Sequence, residues 1–271
     1  MGKAWMIASG KGGVGKSTIT AGLAVALARA ERKVCIVDAD IGLRDQDVIL
    51  GVENRVVYDL LDVCADRCPL PQALIDHPEE NSLYLLPAAQ FARSKDVDGK
   101  ALRKVIRQLK SRFDTVLIDC PAGIERGLRS IMHAETEESI LICTPDDVCI
   151  RDVDRTSALM TEKQSRRPQL IVNRLNASLI ESGEMYSAQT VAQTLDLSLL
   201  GEVPEDPIVY RALLKRIPLM DCRCEATEAL TRIAHRMVGI EEPLPGYGTR
   251  HVSFLRRLFR RKPQEVELID R

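Results

Sequence analysis

Apolar residues are distributed along this chain in two rhythms. Short β-branched or apolar runs occur at Ala4–Ser9, Lys33–Asp38, Leu83–Pro87, Thr115–Asp119, Ser139–Thr144 and Gln169–Asn173, each short enough to be a strand. Between them lie longer stretches whose apolar positions recur with the helical period: Ser17–Ala30, Lys100–Ser111, Arg151–Gln164, Ser187–Leu195 and Glu225–Val238. Strand and helix in alternation predict an α/β fold, a mostly parallel twisted sheet with helices on both faces. The breaker-rich run Glu241-Glu242-Pro243-Leu244-Pro245-Gly246-Tyr247-Gly248 interrupts both rhythms. It divides the chain into a globular domain of residues 1–240, a linker of 241–249 and a tail of 250–271.

Composition narrows the class. A chain of 271 residues, 45% hydrophobic and 28% charged, has the balance of a soluble globular protein and excludes collagen-like and disordered classes. No run approaches the roughly 20 apolar residues of a spanning helix. Lys and Arg number 38 against 39 Asp and Glu, for a formal net charge of −1, so an electrostatic partner must meet a local patch. The amino terminus has no signal-peptide apolar core, which points to the cytoplasm. The eight cysteines are scattered as reduced thiols would be. The pairs Cys64/Cys68 and Cys222/Cys224 lack knuckle spacing and a nearby His, which weighs against zinc.

The strongest chemical signal is Gly10-Lys11-Gly12-Gly13-Val14-Gly15-Lys16-Ser17, followed by Thr18. It fits G-x-x-x-x-G-K-[ST] and lies between a predicted strand and a predicted helix, where backbone N–H groups at a helix amino terminus cradle polyphosphate. Lys16 would reach the terminal phosphates and the Ser17 hydroxyl would ligate Mg2+. Two further predicted strands end in carboxylates, one at Val37-Asp38-Ala39-Asp40 and one at Ile118-Asp119-Cys120-Pro121-Ala122-Gly123, which is where an α/β sheet presents its ligand. Asp119 looks like the residue that holds Mg2+ through water, and Pro121, Ala122 and Gly123 like a turn able to sense a γ-phosphate. A late strand ending Ile171-Val172-Asn173-Arg174-Leu175-Asn176 lacks the Asn/Thr-Lys-x-Asp of a guanine site, which favours ATP over GTP.

Residues 250–262 carry six Lys or Arg, no acid, and two of the four phenylalanines. At 100° per residue Val252, Phe254, Leu255, Leu258 and Phe259 share an arc of about 160°, opposite Arg256, Arg257 and Arg260, with Arg261 following. This predicts an amphipathic helix lying in an anionic membrane surface. One copy binds marginally, and two copies in a dimer bind with an avidity about 10² to 10⁴ higher.

The second lysine of the loop, Lys11, makes the chain resemble the deviant Walker A ATPases, the ParA/MinD family. The resemblance also rests on Asp40-Ile41-Gly42-Leu43-Arg44, Asn54-Arg55-Val56-Val57-Tyr58-Asp59, Pro121-Ala122-Gly123-Ile124-Glu125 and the tail, and covers nearly the whole chain. It implies an ATP hydrolase using Mg2+ that forms a homodimer on ATP, with Lys11 reaching the nucleotide of the other subunit. It places Asp38 and Asp40 in a switch segment, with Asp40 near the attacking water and Mg2+, and Asn173 at the adenine edge. The segment Gly201-Glu202-Val203-Pro204-Glu205-Asp206 would be a loop closing over the base. Arg151, Asp152 and Asp154 match a helix where a MinC-like septation inhibitor and a MinE-like activator dock. Division-septum placement from the cytoplasmic face of the inner membrane is the implied role. A DNA- or cargo-partitioning ATPase and a flagellar-placement ATPase are the alternatives. The chain departs from the family pattern in its acidic extension, Pro263–Arg271, and in the acidic segment Thr144–Ile150.

Overall fold

The computed structural model describes residues 1–90, 98–123, 131, 136–163 and 166–248. Its strands are β1 (Lys3–Ser9), β2 (Val34–Asp38), β3 (Ile75–Asp76), β4 (Leu83–Leu86), β5 (Thr115–Asp119), β6 (Glu138–Cys143), β7 (Gln169–Leu175) and β8 (Ser198–Pro204). Its helices are α1 (Lys16–Arg29), α2 (Gln46–Ile49), α3 (Leu60–Cys64), α4 (Leu70–Ala73), α5 (Gly99–Lys110), α6 (Asp147–Lys163), α7 (Ala177–Ser182), α8 (Ala188–Leu195), α9 (Pro207–Lys215) and α10 (Glu225–Met237).

The strands form one sheet in the order β3-β4-β2-β5-β1-β6-β7-β8. Every pairing is parallel except the short β3 against β4. β2 and β5 are buried at every position, because helices cover both faces of a parallel sheet and leave no polar side to the strand. α1 and α10 pack on each other and on the sheet, while α5, α6 and α8 pack against strands β1, β5, β6, β7 and β8. α1 is buried continuously from Ile19 to Ala28, since it lies between the sheet and α10. α5 instead buries one stripe, Leu102, Val105, Ile106 and Leu109, at the i, i+3, i+4, i+7 spacing of a surface helix. Among the described residues no helix is long and apolar enough to cross a membrane.

Three expectations change. The helix expected from Arg151 begins at Asp147, because Asp146 accepts the N–H of Cys149 and caps the first turn. β7 continues past Asn173 to Leu175. Gly201–Pro204, expected as part of a loop, is the end of β8, so only Glu205 and Asp206 of that segment lie beyond the strand. The run 241–248 has no regular structure, yet it is tied to the body. Arg236 donates to the carbonyls of Glu242 and Pro243, both at 2.9 Å, and Glu202 accepts the N–H of Gly246 at 2.8 Å. The expected membrane residues Phe254, Leu255, Arg256, Arg257, Leu258, Phe259, Arg260 and Arg261 lie outside the described residues.

Candidate nucleotide site

β1 is central, so the loop that leaves its carboxyl end is flanked by the ends of β2 and β5 on one side and β6, β7 and β8 on the other. Parallel register then does the assembling: Asp38 of β2 stands level with Asp119 of β5. Residues 81 positions apart, 38 and 119, thus become neighbours beneath one loop.

The loop is built for close approach. A Cβ on Gly10 would sit 2.4 Å from the backbone of Asp152, so the loop rests directly on α6. Gly15 has φ +91° and leaves no room for a side chain, with Asn173 Nδ2 2.6 Å from where its Cβ would be. Asn173 is buried and donates through Nδ2 to Val14 O at 2.8 Å. Arg174 donates to Gly13 O, also at 2.8 Å. Above Gly13 there is open space, with no protein atom within 4 Å of a Cβ position.

Under the loop the charges are concentrated. Lys16 Nζ lies 2.6 Å from Asp119 Oδ1 and 3.8 Å from Asp40 Oδ2. Thr20 Oγ1 reaches the same Asp119 oxygen at 3.4 Å. Gln46 Nε2 donates to Asp119 Oδ2 at 2.7 Å and to Ser17 O at 3.0 Å. Asp38 accepts the N–H groups of Asp40 and Gln46. Burial, reinforced by the neighbouring Asp119 charge, pushes the Asp38 carboxyl up to about 8, against those two N–H bonds. Burial also raises Asp40, against the pull of Lys16. For Lys16 burial opposes the ammonium, but Asp119 and Asp40 outweigh it and the pKa is raised.

Lys11 behaves differently. Its ammonium is 3.9 Å from Asp146 Oδ1, and both side chains are nearly half exposed. Arg151 and Asp154 are exposed on α6 and Asp152 is half-buried beneath Gly10. Pro204, Glu205 and Asp206 line a cavity of about 290 Å3 together with Gly15, Thr18 and Asn173. Pro121, Ala122 and Gly123 follow β5, and the N–H of Gly123 donates to Ser9 O at 2.9 Å, which ties that turn to the strand feeding the loop.

The arrangement suits a polyphosphate with a divalent cation. The loop offers uncovered backbone at Gly13, the floor offers oxygen donors from Ser17, Asp40 and Asp119, and Gln46 Oε1 is buried with no hydrogen-bond partner. Such an orphan acceptor costs about 1–3 kcal/mol. Sequence reasoning placed the motif residues but missed Gln46, Thr20 and Arg174. Gln46 lies among aspartates in a polar stretch and carries no local signal. Thr20 sits four residues after Lys16 on α1, and that helical spacing was the available clue.

The sheet order, the loop between β1 and α1 and the paired strand-end carboxylates define a P-loop NTPase. Residues 1–238 match the ParA family, described as a NUBPL iron-transfer P-loop NTPase. The septum site-determining protein MinD of Bacillus subtilis is 41% identical over 247 residues, covering 90% of this chain and 92% of that protein. MinD of Helicobacter pylori is 42% identical over 243 residues, 87% and 90% of the two chains. Among solved structures, the MinC:MinD cell division protein complex of Aquifex aeolicus has a TM-score of 0.83 at 36% identity, covering 90% of this chain and 99% of that one. MinD of Pyrococcus horikoshii complexed with Mg-ADP has a TM-score of 0.78 at 30% identity, covering 90% and 100%. The chain belongs to the septum-site-determining MinD family of P-loop ATPases.

Proposed function

We propose that this protein is an Mg2+-dependent ATPase that dimerises on ATP, attaches to anionic membrane through residues 250–271 and places the division septum by recruiting a MinC-like inhibitor. A MinE-like activator would trigger hydrolysis and release, so the ATP-bound form would be peripheral on the cytoplasmic face of the membrane. The observation that carries this reading is the contrast between the two lysines of one loop. Lys16 is locked among carboxylates beneath the phosphate space, whereas Lys11 is exposed with only a loose partner. An exposed cation at the rim is what a second subunit's nucleotide requires.

ATP is supported by Asn173. One amide hydrogen is spent on Val14 O, and the partner being a carbonyl fixes which end is nitrogen. Oδ1 and the second amide hydrogen remain, an acceptor and donor pair that can meet the N6/N7 edge of adenine, and β7 is not followed by the Asn/Thr-Lys-x-Asp of a guanine site. Ser17, Asp40 and Asp119 would hold Mg2+, which when bound supplies charge neutralisation at the phosphates. Asp40 would orient the attacking water, and Arg151, Asp152 and Asp154 would form the partner edge. The Aquifex aeolicus complex, which contains MinC with MinD, supports a MinC-like partner.

The test is sedimentation with anionic liposomes in ATP, ADP or no nucleotide, for the full chain and for one ending at Gly248. ATP-dependent pelleting that vanishes on truncation is expected. In solution Lys11→Ala should remove ATP-dependent dimers seen by light scattering. Pelleting indifferent to nucleotide would break the link between dimer and membrane. Salt-sensitive DNA binding by the truncated chain would instead favour a partitioning ATPase.

A further inference from the structure

Asp119 is gripped on both oxygens. Lys16 and Thr20 hold Oδ1, and among the described residues Gln46 alone reaches Oδ2, at 2.7 Å. Gln46 is the first residue of α2 and is fully buried. Its backbone N–H is also committed, donating to Asp38 Oδ2 at 3.3 Å. One residue therefore joins the strand-end carboxylates of β2, through its backbone N–H, and of β5, through its side chain, to the backbone of Ser17, whose hydroxyl is a candidate metal ligand.

The orientation of the Gln46 amide follows from its partners. Ser17 O and a carboxylate oxygen both accept, so the group facing them must be the NH2; the flipped amide would set three acceptors against one another. Oε1 is then an acceptor without a donor. Among the described residues three buried side-chain atoms lack a partner, Gln46 Oε1, Ser139 Oγ and Gln169 Oε1. Ser139 and Gln169 lie on β6 and β7, and only Gln46 contacts the residues of the nucleotide site. A buried polar atom without a partner is uncommon and calls for an occupant. The occupant must donate, and it must reach an amide whose Nε2 is already bonded to Ser17 O and Asp119 Oδ2. Water bound to a hard divalent cation meets both conditions, since Mg2+ keeps several waters and polarises their hydrogens.

We propose that Gln46 is a positioning residue of the magnesium site, holding Asp119 through Nε2 and presenting Oε1 to a water of the cation's hydration shell. The inference rests on the ATPase reading above and adds a residue to it. It also gives Gln46 a role when Lys16 turns from Asp119 to the phosphates. Asp119 then keeps only the longer Thr20 contact at Oδ1, and the amide keeps the carboxylate facing the cation through Oδ2.

The experiment compares the full-length wild type with Gln46→Leu, binding a fluorescent ATP analogue across a Mg2+ titration and again in EDTA. The expected result is a rise of about tenfold in the Mg2+ concentration needed for half-maximal binding, with affinity in EDTA changed less than twofold. With Mn2+ in place of Mg2+ and ADP bound, the exchangeable-proton couplings of the Mn2+ resonance should change in the variant. Gln46→Met, flexible and of the same length, repeats both measurements should the leucine variant fold poorly. Equal losses with and without cation would assign Gln46 to loop shape and overturn the proposal, as would an unchanged Mg2+ midpoint and resonance. Wild-type protein that binds nucleotide with no dependence on Mg2+ would overturn the metal reading itself, which a defect confined to the variant cannot do.

Discussion

The floor and the rim of the phosphate loop each centre on a lysine of the same eight-residue motif and obey different electrostatics. On the floor, the Lys16 side chain is 7% exposed and the Asp119 side chain 1%. Charge there is compensated by groups from β2, β5 and α2, brought together across the sheet. On the rim, Lys11 and Asp146 are 45% and 48% exposed and 3.9 Å apart, and water supplies most of the compensation. A buried pair is costly to break, whereas an exposed one contributes about 0–1 kcal/mol. The floor can therefore set folding and nucleotide binding while the rim stays free to engage a second molecule.

Lys16→Ala tests the floor and should have the largest effect. It removes the ammonium from between Asp119 and Asp40, leaving carboxylates buried without a cation, at a cost of about 3–5 kcal/mol in denaturant-induced unfolding. Calorimetry should find nucleotide affinity reduced at least ~100-fold, about 2.7 kcal/mol. A loss confined to hydrolysis, with binding and stability intact, would mean that the floor is not the binding determinant.

Asp38→Asn comes next and probes the same floor through pH. The folded Asp38 carboxyl is raised to about 8, against about 3.9 in an unfolded chain. The folded protein therefore holds this proton where the unfolded chain has released it. The resulting stability is complete below the unfolded value and is lost as pH rises toward 8. Unfolding free energy of the nucleotide-free protein should fall between about pH 4 and 8, and Asp38→Asn should flatten that slope. A steeper slope in the variant would reverse the assigned sign.

The same contrast explains what could be read from sequence. Motif residues Gly10 to Thr18, Asp38, Asp40 and Asp119 were legible because each lies at the end of a continuously apolar run, and strand ends in a parallel sheet converge. β8 was not. Its Ser-Leu-Leu-Gly-Glu-Val-Pro sequence contains Gly201, Glu202 and Pro204, which read locally as breakers. In the fold, a Cβ on Gly201 would lie 2.2 Å from Ile233 of α10, and Glu202 is buried to accept Gly246 N–H. Both choices answer partners more than 30 residues away, which no local window contains. The helices α2, α3 and α4 span 4–5 residues, too short for a period to register. α2 is where Gln46 sits, so the polar residue most entangled with the carboxylates was the least visible. α6 is legible as a helix but not at its true start, since Thr144-Pro145-Asp146 reads as a turn and the Asp146 cap shows only in the fold.

Asp146→Ala sharpens the contrast, because Asp146 belongs to both regions. It faces Lys11 on the rim, and it also accepts the Thr144 hydroxyl at 2.6 Å and the Cys149 N–H at 2.9 Å at the start of α6. Losing that cap should cost about 1 kcal/mol. The folded Asp146 carboxyl is lowered by Thr144, the α6 N–H groups and Lys11, against burial. Its contribution is therefore present at neutral pH and lost as pH falls through the folded value. The difference between wild type and Asp146→Ala in chemical unfolding should accordingly shrink in acid.

Lys11→Ala should have the smallest effect on the isolated subunit. The ammonium makes one loose contact with Asp146, so stability should move by no more than about 0.5 kcal/mol. ADP affinity, measured at protein concentrations too low for dimers, should stay within about twofold, or ~0.4 kcal/mol. The same substitution is expected to abolish ATP-dependent dimers, and the two results together locate the function of this lysine outside its own subunit. A tenfold loss of ADP affinity in the monomer would show Lys11 acting on the nucleotide of its own chain. Rim and floor would then be one binding surface, and the avidity argument for membrane attachment would need a different source of dimerisation.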